Sequence, residues 1–402
     1  MNLLDLPESA AEQLRRRFDL GADKLRISYY CGPGDVLGTF RYWQQGRHDP
    51  RLPIVTYSAM FYELVRHLDA QAQIVTSACP DFDSGSGLWF SAVQRKPWTS
   101  TADYIRSQKA IVRDTAARIA EFDPHIVVVS TDFPPAGWPR LARGRRLIVS
   151  AHNSFWPMGE RPSTLKGKIR QFRLSSHARS IDGAVCVSAE CSRQIETLTR
   201  GRVHGPVAVP QIVNSYGNRS RAGVRNLLFL GRIEASKGVF MLLDAFLSLK
   251  DRHEQLHLSY AGSGSKDAEL RTRVAAAGTR DVHILGQLDS QTVHRQIDEA
   301  DLIVCPTTRG FNEGLATVGL EAAAHGVPTL LSSVVPAQDM LGAGCMVFEA
   351  DNMKALEHSL ERLVSEDAVY KNLVKGLETI QAKLHDRSQS WGTQLGRVLL
   401  SL

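Results

Sequence analysis

A loop with two glutamates eight positions apart, Glu313 and Glu321, is the part of the sequence most suited to chemistry. The loop follows the apolar run 302–305 and leads into residues whose apolar side chains have helical spacing. Glu313 precedes the helix and Glu321 lies about one turn inside it, so the two carboxylates occupy different heights of one site. One could reach a sugar and the other a ribose. The alternative is a loop acid and a solvated helix acid.

The start of the same helix is suited to binding a phosphate. We expect Thr317 to cap the helix or to lie in its first turn. The first turn of a helix leaves backbone N–H groups without partners, and these groups attract anions. The free N–H groups are therefore expected at Leu315, Ala316 and Thr317.

Two cations, Arg232 and Lys237, follow a second buried strand, 226–230, which is terminated by Gly231. An arginine grips two phosphate oxygens in a planar fork, and a lysine adds a compact point charge. The pair therefore suits a diphosphate. Two unrelated surface cations on a loop are the alternative interpretation.

His152 follows another apolar run, 147–150, so its imidazole should face the cleft, where it could hydrogen-bond a sugar hydroxyl or move a proton. A structural histidine is the alternative. A glycine-rich loop with Gly32, Gly34 and Gly38 follows the first apolar run. Glycines let the backbone approach a ligand closely. The spacing fits neither the dinucleotide-binding fingerprint nor a Walker loop.

Alternating apolar runs and amphipathic segments must position these residues. Twelve runs predict buried parallel strands, and two sheets of about six are expected because one open sheet of twelve would be too large. The polar stretch 214–225 predicts a linker. We therefore expect an α/β protein with two Rossmann-like, doubly wound domains, over 1–213 and 218–387, that face a central cleft. The twelve runs are 25–30, 73–77, 126–130, 147–150, 184–188, 207–209, 226–230, 256–261, 282–285, 302–305, 328–331 and 345–348.

Composition excludes several classes of protein. Of the 402 residues, 43% are hydrophobic and 22% are charged, which is typical of globular proteins. No apolar stretch approaches the roughly 18 residues that a membrane span needs, and acids near the N-terminus argue against a secretory signal. The six scattered cysteines suit free thiols in a reducing compartment. We expect a cytoplasmic protein with no metal site.

The net charge of +6 is unevenly spread. Ten cations lie between residues 140 and 180, where Glu160 is the only acid. Such a block attracts phosphates, an anionic membrane surface or nucleic acid, and a solvated basic face is the alternative. No aromatic pattern interleaves these cations, so we expect no nucleic-acid partner.

Taken in order, the motifs of the second half resemble the nucleotide-binding domain of retaining glycosyltransferases with the GT-B fold (glycosyl transferases group 1, family 4), which carry a Glu-x7-Glu motif. The first half resembles the family more loosely, through the glycine loop, residues 151–153 and 182–188. Residues 389–391 resemble the start of a terminal helix, 388–402, that packs back on the first domain. The motifs of the second half are 231–238, 258–264, 282–286, 300–306, 313–322 and 324–328.

The resemblance implies a role for each matching position. Arg232 and Lys237 would hold the donor diphosphate and stabilise the departing charge. Glu313 and His152 would contact the donor sugar, and Glu321 would bind the ribose. Backbone at the glycine loop and around the helix start would approach the phosphates, at Gly34 or Gly38, Gly231, Leu315, Ala316 and Thr317. The pair Leu315-Ala316 stands where the family often has Phe-Gly, which we expect to tune the pocket without loss of function.

The expected function is therefore transfer of a sugar from a nucleotide-sugar to a glycan or lipid-linked acceptor, as in the synthesis of surface polysaccharides or glycolipids. A helix start and two cations can stabilise the leaving diphosphate without metal or cofactor. Retention of the anomeric configuration is implied by the resemblance alone. The alternatives are a nucleotide-sugar epimerase of the same architecture and a non-catalytic sugar-nucleotide binding protein.

Overall fold

Each half of the chain forms one sheet with helices on both faces. The structure is a computed structural model that describes residues 3–95, 97–213, 216 and 223–402. In chain order, the elements of the first half are α1 (Ala10–Arg17), β1 (Arg26–Gly32), α2 (Val36–Gln44), α3 (Tyr57–His67), β2 (Gln71–Thr76), β3 (Phe82–Asp83), β4 (Leu88–Ala92), α4 (Thr101–Phe122), β5 (Ile126–Ser130), α5 (Trp138–Leu141), β6 (Arg146–Ala151), α6 (Leu165–Ala178), β7 (Gly183–Cys186) and α7 (Ala189–Thr199).

The second half continues the alternation of strands and helices. Its elements are β8 (Asn226–Leu230), α8 (Val239–Lys250), β9 (His257–Ala261), α9 (Asp267–Ala277), β10 (Val282–Gly286), α10 (Ser290–Glu299), β11 (Leu302–Cys305), α11 (Thr317–Ala324), β12 (Thr329–Ser332), α12 (Gln338–Leu341), β13 (Cys345–Phe348), α13 (Met353–Ser365), α14 (Asp367–Gly376), α15 (Glu378–Leu384) and α16 (Trp391–Ser401).

The strand orders are those of doubly wound sheets. The first sheet has seven strands in the order β3-β4-β2-β1-β5-β6-β7, and the second has six in the order β10-β9-β8-β11-β12-β13. All strand pairs are parallel except β3 with β4. In each sheet the strand order reverses beside a central strand, between β1 and β5 and between β8 and β11, and ligands bind at such switch points. This architecture confirms the prediction of an α/β protein with two such sheets.

The central strands are apolar on both faces because helices cover both sides of each sheet. Every residue of β5, with the sequence Ile-Val-Val-Val-Ser, is buried. One hydrophobic cluster runs through both halves of the chain, since it contains Val127 and Val149 of the first sheet and Leu228 and Ile303 of the second.

Two details of the first sheet differ from the sequence prediction. The run 207–209 forms no strand: Val207 makes an isolated bridge with Cys186, and prolines at 206 and 210 bracket the run and lack the N–H groups that a ladder needs. The prediction also missed the hairpin of β3 and β4, which is short and joined through a Ser-Gly-Ser-Gly turn. The first sheet therefore has seven strands.

The end of the chain returns to the first domain. Helix α16 packs against α3 and β7, and Trp391 and Leu395 join the core of that domain. The predicted linker 214–225 lies mostly outside the described residues, which resume at 223 after the single residue 216. The domain boundary at 213 and 218 therefore stays a prediction.

Candidate active site

A cavity of about 360 Å3 lies between the two domains. We call it the interdomain cavity; its walls include the carboxyl ends of β6, β8 and β11 and the start of α11. A second cavity of about 640 Å3, the side cavity, extends into the first domain. The two cavities share Tyr57, His152 and Thr317, so they are continuous at these side chains.

Lys237 and Glu313 meet across the interdomain cavity. The Lys237 ammonium contacts Glu313 Oε2, and Thr307 Oγ1 lies 3.4 Å from the same oxygen. Only 17% of the Lys237 side chain and 11% of the Glu313 side chain are exposed. The cation and the carboxylate are 76 residues apart in sequence, and the structure brings them together at the ends of neighbouring strands, as expected from their positions.

The turn that presents Lys237 requires a glycine. Gly238 has a φ of 72°, and a Cβ at this position would lie 1.9 Å from the Pro306 carbonyl oxygen. Only glycine allows the backbone after β8 to approach the backbone after β11 this closely.

Phe311 is a site residue that the sequence reasoning missed. Its ring centroid lies 4.0 Å from the Lys237 ammonium and 5.3 Å from the Arg232 guanidinium carbon. Arg232 is exposed, so it lies at the rim of the site and not inside it. A lone aromatic residue in a loop gives no sequence signal. The ring gathers both cations on one surface by cation–π attraction.

The first turn of α11 opens on the interdomain cavity. Leu315, Ala316 and Thr317 line it, and their backbone N–H groups have no recorded partner in the described part of the chain. Thr317 lies in the first turn and does not cap the helix, because the N-cap position is Ala316 and no side chain caps it. A helix start without a cap is suited to an anionic ligand.

Ala316 has a left-handed backbone with a φ of 64°, which side chains other than glycine adopt at a cost. Replacing Ala316 by glycine is expected to raise the free energy of unfolding by about 1 kcal/mol, because relief of this cost exceeds the added chain entropy. Chemical denaturation of both proteins measures this. Equal or lower stability of the glycine variant would contradict the assignment of strain.

Glu321 lies at a different height from Glu313, as predicted: it lines the side cavity, whereas Glu313 lines the interdomain cavity. Burial raises the pKa of the Glu321 carboxyl to about 7, and a hydrogen bond with Thr317 opposes part of this rise. Near neutral pH, this carboxyl therefore exchanges between its acid and its anion.

This raised pKa predicts a pH dependence of stability. The protonated Glu321 carboxyl favours the folded state. This contribution to stability is complete below the pKa of a glutamate in the unfolded chain, about 4.3, and is lost as pH rises through about 7, because the folded state then holds a buried charge. Between these limits, the free energy of unfolding of the wild type should fall by about 1–3 kcal/mol relative to Glu321→Gln. Denaturation of both proteins at pH 4.5 and 8 checks this, and parallel pH profiles would contradict it.

His152 lies just after β6 and lines both cavities. The backbone N–H groups of His152 and Asn153 both donate to Thr131 Oγ1 at 3.0 Å, which fixes the turn. Burial lowers the pKa of the imidazole to about 4, so it is neutral at physiological pH. The ring of Tyr57, which the sequence reasoning also missed, packs 4.4 Å from the imidazole.

The glycine loop divides between the cleft and a helix. Gly34 lines the side cavity, whereas Gly38 lies in α2 and lines neither cavity. The Gly38 N–H donates to Asp35 Oδ1, 2.9 Å away, as part of the helix cap. Of the two alternatives for close approach to a ligand, the geometry therefore favours Gly34.

The two domains touch directly at one end of the cleft. A Cβ on Gly314 would lie 1.8 Å from the His152 carbonyl oxygen, so only glycine allows this contact. Ser154 Oγ donates to the Glu313 carbonyl at 3.1 Å, and Arg309 pairs with Glu160 at 3.0 Å. These contacts hold the donor-side loop against the first domain.

Among the described residues, no group of three or more His, Cys, Asp or Glu side chains could hold a metal ion. None of the described helices is long and apolar enough to span a membrane.

Comparison with known sequences identifies both halves of the chain. The sequence model of "Glycosyl transferases group 1" matches residues 217–378, and that of "Glycosyltransferase Family 4" matches residues 58–205. Each half of the chain is therefore similar to a glycosyltransferase domain. The candidate site lies where the two matched segments meet.

Curated relatives agree with this assignment. The chain is 27% identical over 273 residues to a D-inositol 3-phosphate glycosyltransferase of Arthrobacter sp., with 62% of each chain covered. It is 28% identical over 172 residues to a putative teichuronic acid biosynthesis glycosyltransferase of Bacillus subtilis, with 41% of each chain covered. The chain thus spans less than two thirds of the length of these relatives.

Solved structures show the same fold over nearly the whole of this chain. Sucrose-phosphate synthase from Thermosynechococcus elongatus aligns over 94% of this chain and 97% of its own, with a TM-score of 0.64 and 15% identity. HepE of Anabaena, solved with UDP and glucose, aligns over 94% and 100%, with a TM-score of 0.62 and 14% identity. These similarities confirm the predicted GT-B fold.

Proposed function

We propose that the chain transfers a sugar from a nucleotide-sugar to a glycan or lipid-linked acceptor, with retention and without a metal, in the synthesis of a surface polysaccharide or glycolipid. The observation that carries this proposal is the Lys237–Glu313 pair, which faces the uncapped start of α11 across one cavity. A cation and free N–H groups suit a diphosphate, and the carboxylate beside them suits a sugar that becomes cationic.

The chemistry then follows from the placement of the charges. As the bond between the sugar carbon and the diphosphate oxygen breaks, the diphosphate gains negative charge, and Lys237, Arg232 and the N–H groups of α11 stabilise it. The sugar approaches an oxocarbenium ion, which the Glu313 carboxylate stabilises. The acceptor oxygen bonds to the same carbon, and its proton passes to the departing phosphate.

The side cavity supports an acceptor with an apolar portion. Its walls are mainly apolar and include Val36, Leu52, Pro53, Ile54 and Val55. The cavity opens onto His152, so an acceptor bound there would present a hydroxyl to the reacting carbon. A lipid-linked sugar combines these two properties.

Nucleotide binding tests the donor half of this proposal. Thermal unfolding is measured with UDP, GDP and ADP and their sugar conjugates, beginning with UDP and UDP-glucose because HepE was solved with UDP and glucose. A nucleotide at a hundred times its Kd should stabilise the protein by about 2.7 kcal/mol. Lys237→Met should lose this stabilisation, whereas Lys266→Met, in the same domain, should keep it. No shift with any nucleotide would contradict the proposal.

Product analysis separates transfer from the two alternatives. Release of a nucleoside diphosphate that depends on an added acceptor supports transfer. A change in the donor sugar without any acceptor supports the epimerase, and binding without turnover supports a binding protein.

Helix α6 supports the proposal that the acceptor lies in an anionic membrane, at the inner face of the cytoplasmic membrane. Leu165, Ile169 and Phe172 share one helix face and are 77%, 48% and 66% exposed. The flanking cations Lys166, Lys168, Arg170 and Arg173 are exposed too, and no ion pair is recorded for them in the described chain. An apolar stripe between unpaired cations is typical of a helix that lies on a membrane surface.

Among the described residues, two of the ten cations in the stretch 140–180 have an acidic partner. Arg145 pairs with Asp123 at 3.3 Å and Arg146 with Asp182 at 3.1 Å, so these two cations are partly neutralised. The other eight cations of the stretch 140–180 are exposed, and four of them lie on α6.

Sedimentation with vesicles tests membrane binding. Binding should rise when phosphatidylglycerol is added to phosphatidylcholine and should fall with salt, because the attraction is electrostatic. Leu165→Ser with Phe172→Ser should weaken it, whereas Arg145→Gln should leave it nearly unchanged. Absent or salt-insensitive binding would remove the membrane proposal and leave the glycosyltransferase proposal intact.

A further inference from the structure

A buried line of hydrogen bonds connects the terminal helix to the site histidine. The Trp391 indole N–H donates to Ser150 Oγ at 2.8 Å, and the same Oγ lies 2.9 Å from His152 Nε2. Ser150 and Trp391 are buried, with 0% and 1% exposed. The line therefore runs through the interior of the first domain and reaches the cleft at the imidazole.

The direction of these bonds follows from the donors available. The indole N–H can only donate, so Ser150 Oγ accepts from it. The Ser150 hydroxyl has one proton, and His152 Nε2 is the only acceptor recorded for it within the described residues. A buried hydroxyl proton without an acceptor is costly, so this proton lies on the bond to Nε2.

We infer that Ser150 and Trp391 are positioning residues that hold His152 in the neutral tautomer with its proton on Nδ1. A nitrogen that accepts a hydrogen bond carries no proton, so the ring proton must occupy the other nitrogen. No partner of Nδ1 is recorded among the described residues, and the imidazole lines the cavities. His152 therefore presents an N–H donor to a ligand.

The packing around the imidazole fixes its orientation as well. The Tyr57 ring lies 4.4 Å from the imidazole and 5.5 Å from the Trp391 indole, between the two groups. Because burial lowers the pKa of His152 to about 4, the ring does not gain a second proton near neutral pH. In the proposed reaction, His152 donates a hydrogen bond to a sugar hydroxyl. This role rests on the proposed function, whereas the assignment of the tautomer is independent of it.

The chain offers a matched control for Ser150. Ser130 is paired with Ser150 in the register of β5 and β6 and is 2% exposed. Its hydroxyl has no hydrogen-bond partner among the residues that the structure describes. Ser130→Ala therefore removes a buried hydroxyl from the same part of the sheet without touching the line from Trp391 to His152.

NMR of the protein labelled with ¹⁵N-histidine tests the inference at pH 7.5, with His152→Gln used to assign the signals. We expect a protonated Nδ1 and an unprotonated Nε2 for His152 in the wild type. Ser150→Ala should shift the proton toward Nε2, and Ser130→Ala should not. Trp391→Phe, which removes the indole N–H, should give a mixture of tautomers. A protonated Nε2 in the wild type, or an unchanged signal in Ser150→Ala, would overturn the inference.

Ligand binding then links the tautomer to the site. With Ser150→Ala, we expect the affinity for UDP-glucose to fall about tenfold, while the affinity for UDP, which lacks the sugar, stays constant. An equal loss for both ligands would overturn the role in sugar binding. If the wild type bound neither ligand, a UDP-sugar donor would be excluded and the NMR result would still decide the tautomer.

Discussion

Lys237→Met is expected to lower kcat/KM about a thousandfold. Removal of one group that stabilises a developing negative charge typically costs about a hundred- to a thousandfold, and we expect the upper end of this range for a cation that is mostly buried. The Lys237 side chain is 17% exposed and lines the interdomain cavity, where the proposed reaction would release the diphosphate. Water molecules that replaced the ammonium would have to reorient as the negative charge develops, whereas the ammonium is already in place. Steady-state kinetics with the donor found by thermal shift gives the measurement.

Measurements of the free energy of unfolding separate two roles of Lys237: its ion pair with Glu313 and its proposed stabilisation of the diphosphate. Loss of Lys237 leaves the Glu313 carboxylate, which is 11% exposed, without its ion-pair partner, so the protein should lose about 1–2 kcal/mol. The double variant Lys237→Met with Glu313→Gln should recover this stability and remain inactive. Lys266→Met is the control, because Lys266 is 40% exposed and pairs with Glu269 at 2.9 Å. Equal activity of the two lysine variants would contradict the role of Lys237.

Gly314→Ala is expected to lower kcat/KM about a hundredfold while the protein still folds. The added methyl carbon would lie 1.8 Å from the His152 carbonyl oxygen, so the two domains must separate by more than 1 Å at this contact. Glu313 and His152 lie on opposite sides of this contact, and a displacement of this size between reacting groups typically costs two orders of magnitude.

Gly310→Ala is the matched control for this substitution. Gly310 belongs to the same loop, and an added Cβ would meet only Thr308 Oγ1, at 3.4 Å. Its activity should therefore resemble that of the wild type. Small-angle scattering should show a slightly larger radius of gyration for Gly314→Ala alone, and matching kinetics for the two variants would contradict the contact.

The sequence predicted those parts of the fold that depend on apolar periodicity. Strands such as β8 and β11 were predicted with the bounds that the structure has, because buried parallel strands are short continuous apolar runs. The hairpin of β3 and β4 was missed because β3 has two exposed residues and no such run. The run 207–209 was wrongly predicted as a strand because the prediction used apolar content alone. The prolines at 206 and 210 lack the N–H groups that hydrogen bonds between strands need.

The position of a site residue could be predicted where the residue follows a strand that the local sequence already predicts. Glu313, Lys237 and His152 lie at strand ends, and the structure brings them to one cleft as predicted. Phe311 contacts Lys237 and Tyr57 contacts His152 only because of tertiary packing, which a local sequence pattern does not predict. The catalytic roles themselves stay predictions until the variants are measured.

The return of α16 to the first domain has a consequence for synthesis on the ribosome. The last strand of the first sheet ends at Cys186, and Trp391 is made about 200 residues later. At typical elongation rates this interval lasts about 10–40 s, during which the nascent first domain lacks a core side chain. The surface that α16 will cover is apolar, so a nascent chain exposes it until α16 has been made. Binding of a chaperone to that surface in this interval would prevent aggregation of unfinished chains.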